Sequence, residues 1–213
     1  MMAGLPILRR RRLALVLSLW LVAGAVGGIV LVTSRSSDRP AGPTTVQPSV
    51  SRLVMHDQPH LVPALDFTDA GGAPLSLDGF RDRTVLLNVW ATWCAPCRKE
   101  MPSLDRLQAE MGGPTFQVVA LSIDRGGLDP VHAFYREIGL AHLGIYLDPP
   151  SASTRALNVL GIPTTLLIDR AGREVGRATG PVEWDSAEIK AAIRQAMGPA
   201  ESGTPPTTEE RRP

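Results

Sequence analysis

Along the middle of the chain, short runs of apolar and β-branched residues alternate with longer segments in which apolar positions recur every three or four residues. Runs of the first kind are strands, segments of the second kind are helices, and their alternation predicts an α/β domain. Residues 84–90 form a near-continuous apolar run, the pattern of a central strand covered on both faces. Residues 95–111 follow as a helix with Leu104, Leu107 and Met111 on one face, and Pro102 inside it removes one backbone bond. Residues 116–123 read as the next buried strand. Residues 130–138 read as a crossover helix, with Asp129 as N-cap and Pro130 in the first helical position. A short strand is expected within 143–147, and a short helix after Asp148-Pro149-Pro150-Ser151 through Leu157. Residues 164–168 and 174–179 read as two strands of a hairpin turning at 169–173. Residues 183–197 read as a closing helix with Ile189, Ile193 and Met197 turned inward.

The two ends have a different pattern. Four arginines, Arg9 to Arg12, precede a 20-residue run, 13–32, without a charged side chain. Such a run is long enough to cross a hydrocarbon core of about 30 Å as a helix, and the positive charge before it places the N-terminus in the cytoplasm. The run exceeds the apolar region of a cleaved signal peptide and ends in Thr33-Ser34-Arg35-Ser36, so an uncleaved anchor is the expectation. Residues 33–60 are rich in Pro, Ser, Thr and Gly and read as a flexible tether. The organisation expected is a cytoplasmic basic segment at 1–12, a transmembrane anchor at 13–32, a linker at 33–60, a domain at 61–197 and a disordered tail at 198–213.

Bulk composition changes this picture little. A chain of 213 residues, 44% hydrophobic, has room for one domain plus these attachments, and a formal charge of +1 argues against a nucleic-acid partner.

The chemistry is concentrated in the only two cysteines, in Trp93-Cys94-Ala95-Pro96-Cys97. A strand running into Cys-x-x-Cys and then into a helix places a dithiol at a helix N-terminus. There, unpaired amides and the helix dipole stabilise a thiolate, so Cys94 is the attacking sulfur and Cys97 the resolving one. A purely structural disulfide would close too short a loop to stabilise the fold much. A zinc site would need a second ligand pair, and the four histidines, His56, His60, His132 and His142, are scattered singly. No metal is therefore expected at this site, and no cofactor beyond the redox-active Cys94-Cys97 pair. Trp93 offers a flat apolar surface beside the dithiol for a bound peptide, while Trp90 reads as core. Pro96 constrains the loop between the cysteines. Arg98 and Lys99 are expected to point to solvent.

The run Leu86-Leu87-Asn88-Val89-Trp90-Ala91-Thr92-Trp93-Cys94-Ala95-Pro96-Cys97-Arg98-Lys99-Glu100-Met101-Pro102 resembles the active-site segment of the membrane-anchored thioredoxin-like proteins of the TlpA/ResA group. Gly161-Ile162-Pro163-Thr164-Thr165 resembles the loop that carries a cis-proline facing the dithiol in such folds. The resemblance covers roughly 61–197 and is closest to TlpA, including Leu121-Ser122-Ile123-Asp124 and Gly180-Pro181-Val182-Glu183-Trp184. It implies a thioredoxin-like fold, with a central mixed sheet flanked by helices and extra N-terminal strands drawn from 62–67 and 74–77, preceded by one transmembrane helix. It also implies that Pro163 is cis and that the backbone at Ile162 pairs with an extended client segment.

Two departures stand out. Thioredoxin has a buried Asp where this chain has Asn88, which cannot titrate, and ResA-type sequences have a Glu where this chain has Ala95. Proton transfer from Cys97 would then fall to water or to another group, with Glu100 and Asp124 as candidates. TlpA also carries cysteines outside the active-site pair, and this chain has none.

The function this implies is an extracytoplasmic thiol:disulfide reductase on the bacterial cytoplasmic membrane. It would keep client cysteine pairs reduced for metal or haem insertion, as in cytochrome oxidase copper-site assembly or cytochrome c biogenesis. The clients would be a copper chaperone, an oxidase subunit or apocytochrome c, and a transmembrane electron donor would restore the dithiol. The alternatives are a dithiol oxidase that forms client disulfides and, in another class, a Cu(I) carrier using the two thiolates.

Overall fold

The computed structural model describes residues 52–198. The basic segment, the proposed anchor, most of the tether and nearly all of the tail lie outside the described residues. No helix among those described is long and apolar enough to cross a membrane.

The centre of the domain is β4 (Thr84–Trp90), in which every residue is buried. A strand whose alternate side chains are all hidden must be covered on both faces, and the apolar run is the sequence form of that demand. It pairs in parallel with β5 (Phe116–Ser122) and antiparallel with β7 (Thr164–Ile168). The sheet extends outward from β5 through β6 (Tyr146–Leu147) to β2 (Asp66–Asp69) and β3 (Pro74–Ser76). From β7 it extends through β8 (Arg173–Thr179) to β1 (Val54–Leu61), giving a mixed sheet of eight strands. Among the described residues, four α-helices complete it: α1 (Ala95–Met111), α2 (Leu128–Ile138), α3 (Ala152–Ala156) and α4 (Ala187–Met197). α1 packs on β5, and α4 packs on β4 and β7.

Three boundaries differ from expectation. Strand β1 occupies 54–61, inside the segment read as a flexible tether through residue 60. Its residues are exposed or half-buried on both faces, so no alternation marks it; backbone pairing to β8 makes it a strand. Helix α2 is capped by Gly127 rather than Asp129 and begins at Leu128, which puts Pro130 third in the helix. Gly127 has φ +64° and ψ −130°, a conformation open to glycine, and the chain turns into the helix there. Helix α4 begins at Ala187, not at residue 183, with the Ser186 hydroxyl accepting from the Ile189 amide. Residues 182–185 are held instead by side chains of α1. Arg106 pairs with Glu183 and Asp185, and the Trp184 amide donates to the Ser103 hydroxyl.

The core gathers Leu86, Leu87, Trp90, Met101, Leu104, Leu107, Phe116, Leu121, Leu166, Leu167 and Trp184, all fully buried. Trp90 belongs to it as expected, stacked near Phe134 and Tyr135 of α2. Asp105 of α1 reaches the loop after α2 through its buried carboxylate, which accepts from the amides of Ala141, His142 and Leu143. Three donors on one buried acceptor fix the loop between α2 and β6 against α1.

Candidate active site

The site forms where β4 ends. The Trp90 carbonyl accepts from the Ile123 amide, the chain turns through 91–93, and the Cys94 amide closes the turn on the Ala91 carbonyl at 3.1 Å. Cys94 is the N-cap of α1, and its Sγ accepts from the Cys97 amide at 3.2 Å. A helix leaves its first amides without partners, and here a sulfur occupies the position that a serine or aspartate oxygen usually takes. Pro96 falls in the first turn, where a missing N–H costs nothing. Cys94 and Cys97 are joined by a disulfide, with Cys97 fully buried and Cys94 6% exposed. Trp93, at 68% exposure, stands in solvent beside them.

The second wall is the segment before β7. The Ile162-Pro163 bond is cis, as the resemblance implied, and the Ile162 carbonyl oxygen lies 3.7 Å from Cys94 Sγ. Leu160 in the same segment is 93% exposed.

One turn into α1 from the disulfide lies a buried carboxyl. Glu100 sits one turn beyond Cys97 on the same face of α1 and is 2% exposed. Its Oε1 accepts from Asn88 Nδ2 at 2.7 Å, and its Oε2 accepts from Trp184 Nε1 at 3.0 Å and the Val182 amide at 3.1 Å. Burial pushes its pKa up to about 7, with the bonds from Trp184, Val182 and Asn88 only partly offsetting that. A carboxyl in this position holds or releases a proton near neutrality. Asn88 also donates to Thr165 Oγ1 at 2.8 Å, so the amide that replaces thioredoxin's aspartate links Glu100 to β7.

Asp124 is placed differently. Its carboxylate accepts from the Thr92 amide and hydroxyl at 2.9 and 2.6 Å and from the Ser122 hydroxyl at 2.7 Å. These bonds hold the turn that presents Trp93 and Cys94. Arg98 is not simply solvated, as its neighbour Lys99 is. Its guanidinium lies 4.4 Å from the centre of the Phe134 ring and pairs with Glu137 at 2.9 Å, so it pins α1 to α2.

The histidines are not all single either. His56 and His60 of β1 lie 2.9 and 3.3 Å from opposite oxygens of Glu174, which also takes two bonds from Arg177. Nothing in the sequence pairs residues more than a hundred positions apart; the β1–β8 register does. Among the described residues, no group of three or more His, Cys, Asp or Glu side chains is arranged to hold a metal ion.

A mixed sheet, a disulfide at a helix N-terminus after its central strand, and a cis-proline loop opposite define a thioredoxin-like domain with a redox-active cysteine pair. The Redoxin family model matches residues 57–193, and the chain belongs to that family. It is 30% identical over 113 residues to the thiol-disulfide oxidoreductase ResA of Bacillus thuringiensis subsp. konkukian, a match covering 53% of this chain and 64% of that protein. It is 30% identical over 133 residues to the thiol:disulfide interchange protein HelX of Rhodobacter capsulatus, covering 62% of this chain and 69% of the relative. A solved structure from Chlorobium tepidum, described as a thiol:disulfide interchange protein DsbE, superimposes with a TM-score of 0.60 at 29% identity. That likeness covers 67% of this chain and 99% of the other.

Proposed function

We propose that this protein is a membrane-anchored thiol:disulfide reductase. In this reading its domain stands outside the cytoplasmic membrane and keeps client cysteine pairs reduced for metal or haem insertion. The observation that carries the reading is the placement of the Cys94–Cys97 disulfide. It caps α1, lies 3.7 Å from the Ile162 carbonyl and stands one helical turn before a buried carboxyl whose pKa is pushed up to about 7.

In the reduced protein, Cys94 at the helix N-terminus is the thiolate. It attacks one sulfur of the client disulfide, and the other client sulfur leaves as thiolate. The client backbone pairs with the exposed edge at Ile162 while Trp93 covers its side chains. Cys97 then loses its proton and attacks Cys94 Sγ, forming the Cys94–Cys97 bond and releasing the second client sulfur. Glu100 is the group on the same helix face that takes the Cys97 proton. Asp124 positions the turn. Two electrons pass to the client, and a transmembrane donor returns them to the domain.

The names ResA, HelX and DsbE among the similar proteins support thiol–disulfide exchange. The basic segment and apolar run at 9–32 support the anchor and the orientation. Copper chaperones, oxidase subunits and apocytochrome c are the client classes to test.

The experiment is the equilibrium reduction potential of the dithiol, titrated against dithiothreitol or glutathione with tryptophan fluorescence as readout. A value near thioredoxin's, about −270 mV, is expected; a value above about −150 mV would instead make the protein an oxidant of incoming chains. Fractionation of cells expressing the full chain tests the anchor, which predicts the protein in the membrane fraction.

A further inference from the structure

Beside Trp93 the surface opens into a groove of about 670 Å³. The indole and Ile123 supply its apolar lining, and Ser151 and Thr154 at the start of α3 supply hydroxyls. Two charged residues reach it, and they differ in how far they are committed. Asp124 is 4% exposed and both its oxygens are taken by Thr92 and Ser122. Arg125 is exposed and makes no hydrogen bond or ion pair among the described residues. The other arginine near the cysteines, Arg98, is already paired with Glu137 and laid over Phe134. The groove therefore offers a flat apolar platform and, among the described residues, an uncommitted cation on the same wall as Trp93, the residue that precedes the attacking sulfur.

Resting on the reductase reading above, we infer that this groove selects clients carrying an acidic residue close to the target cysteine, with Arg125 as the specificity-determining residue. An extended segment that presents its cysteine to Cys94 lays the neighbouring side chains along Trp93 and Ile123. A carboxylate there meets the free guanidinium, whereas a lysine meets a like charge. Rim charges of this kind act mainly on association, so the selection is a rate effect and is screened by salt.

The test uses the full-length chain, reduced, and two short peptides with an internal disulfide that differ only in Asp or Lys beside the attacked cysteine. Oxidation of the protein is followed by tryptophan fluorescence. Each turnover makes one protein disulfide and two peptide thiols, which take up the one proton lost by Cys97 and one from water. At low salt the acidic peptide should react about fivefold faster, the range of an exposed ion pair. Arg125→Gln should abolish the preference, Arg125→Glu should reverse it, and 0.5 M NaCl should shrink it in the wild type. Equal rates for the two peptides, or a preference that survives Arg125→Gln, would overturn the inference. Hydroxyethyl disulfide, small and uncharged, separates the two ways of failing. If the wild type reduces it but does not discriminate between peptides, only the selectivity is wrong. If it reduces neither that compound nor either peptide, the reductase reading falls and the selectivity falls with it.

Discussion

The indole of Trp184 donates to Glu100 across 84 residues of sequence, at 3.0 Å, and both side chains are buried. The loop before α4 thereby reaches a carboxyl on the dithiol's own helix whose proton affinity lies near neutrality. Asn88, from the central strand, contacts the other oxygen of the same carboxyl. A strand, a helix and a late loop converge on a single proton.

Glu100 should set the pH dependence of exchange. With its pKa raised to about 7, the wild-type rate of client reduction should rise through pH 7. Glu100→Gln should flatten that profile and slow resolution by about a hundredfold, the lower end for a lost general base. Stopped-flow exchange between pH 5 and 9 measures both.

The same carboxyl should cost stability at high pH. Its folded pKa lies above the unfolded 4.5, so its contribution is fully present below 4.5 and lost as pH rises through about 7. The loss amounts to about 3 kcal/mol by pH 8. Glu100→Gln should therefore be more stable than the wild type at pH 8, and the difference should close near pH 5, read by urea denaturation. The amide is accommodated because Asn88 Oδ1 has no partner and can turn to accept from it.

Asn88→Asp should move the rate profile to higher pH. A second carboxyl 2.7 Å from Glu100 disfavours ionisation of both. A profile that stays in place would show that Glu100 is not the titrating group.

Glu174 should matter for folding in the opposite sense of pH. Burial alone would raise its pKa, but the bonds from Arg177 and His56 outweigh it and hold the carboxyl below its usual value. Its contribution is thus present above the unfolded value of 4.5 and lost as pH falls through the lower folded value. Glu174→Gln should lower stability at pH 7, because Arg177 and His56 lose their charged partner, and the difference should narrow as pH falls below 4.5. Urea midpoints followed from pH 7 downward test this.

The order of attack should be visible by trapping. Cys97→Ser should accumulate a mixed disulfide between Cys94 and a client peptide, detected by mass, because the resolving sulfur is gone. Cys94→Ser should form none, since Cys97 is fully buried.

The strands β4, β5 and β7, the helix α1 and the cysteine pair were legible because each is a local pattern. Continuous burial, helical periodicity and Cys-x-x-Cys are all written within a few adjacent residues. Strand β1 was not legible. Its residues are largely exposed, and its only cause is hydrogen bonding to β8, more than a hundred residues away. Asp129 looked like a helix cap because it precedes a proline, but the turn at Gly127, with its positive φ, started the helix two residues earlier.

At the site, the sequence by itself determined where the sulfur chemistry lies, because a dithiol at a strand-to-helix junction needs only contiguous residues. It named Glu100 and Asp124 as acids near the dithiol without distinguishing their surroundings. Only the tertiary structure did so, since a carboxyl's proton affinity depends on what surrounds it rather than on its place in the chain. Asp124 was given the hydroxyls and amide of its own turn. Glu100 was enclosed by Asn88, Val182 and Trp184, and the loss of water around it lifts its pKa toward neutrality.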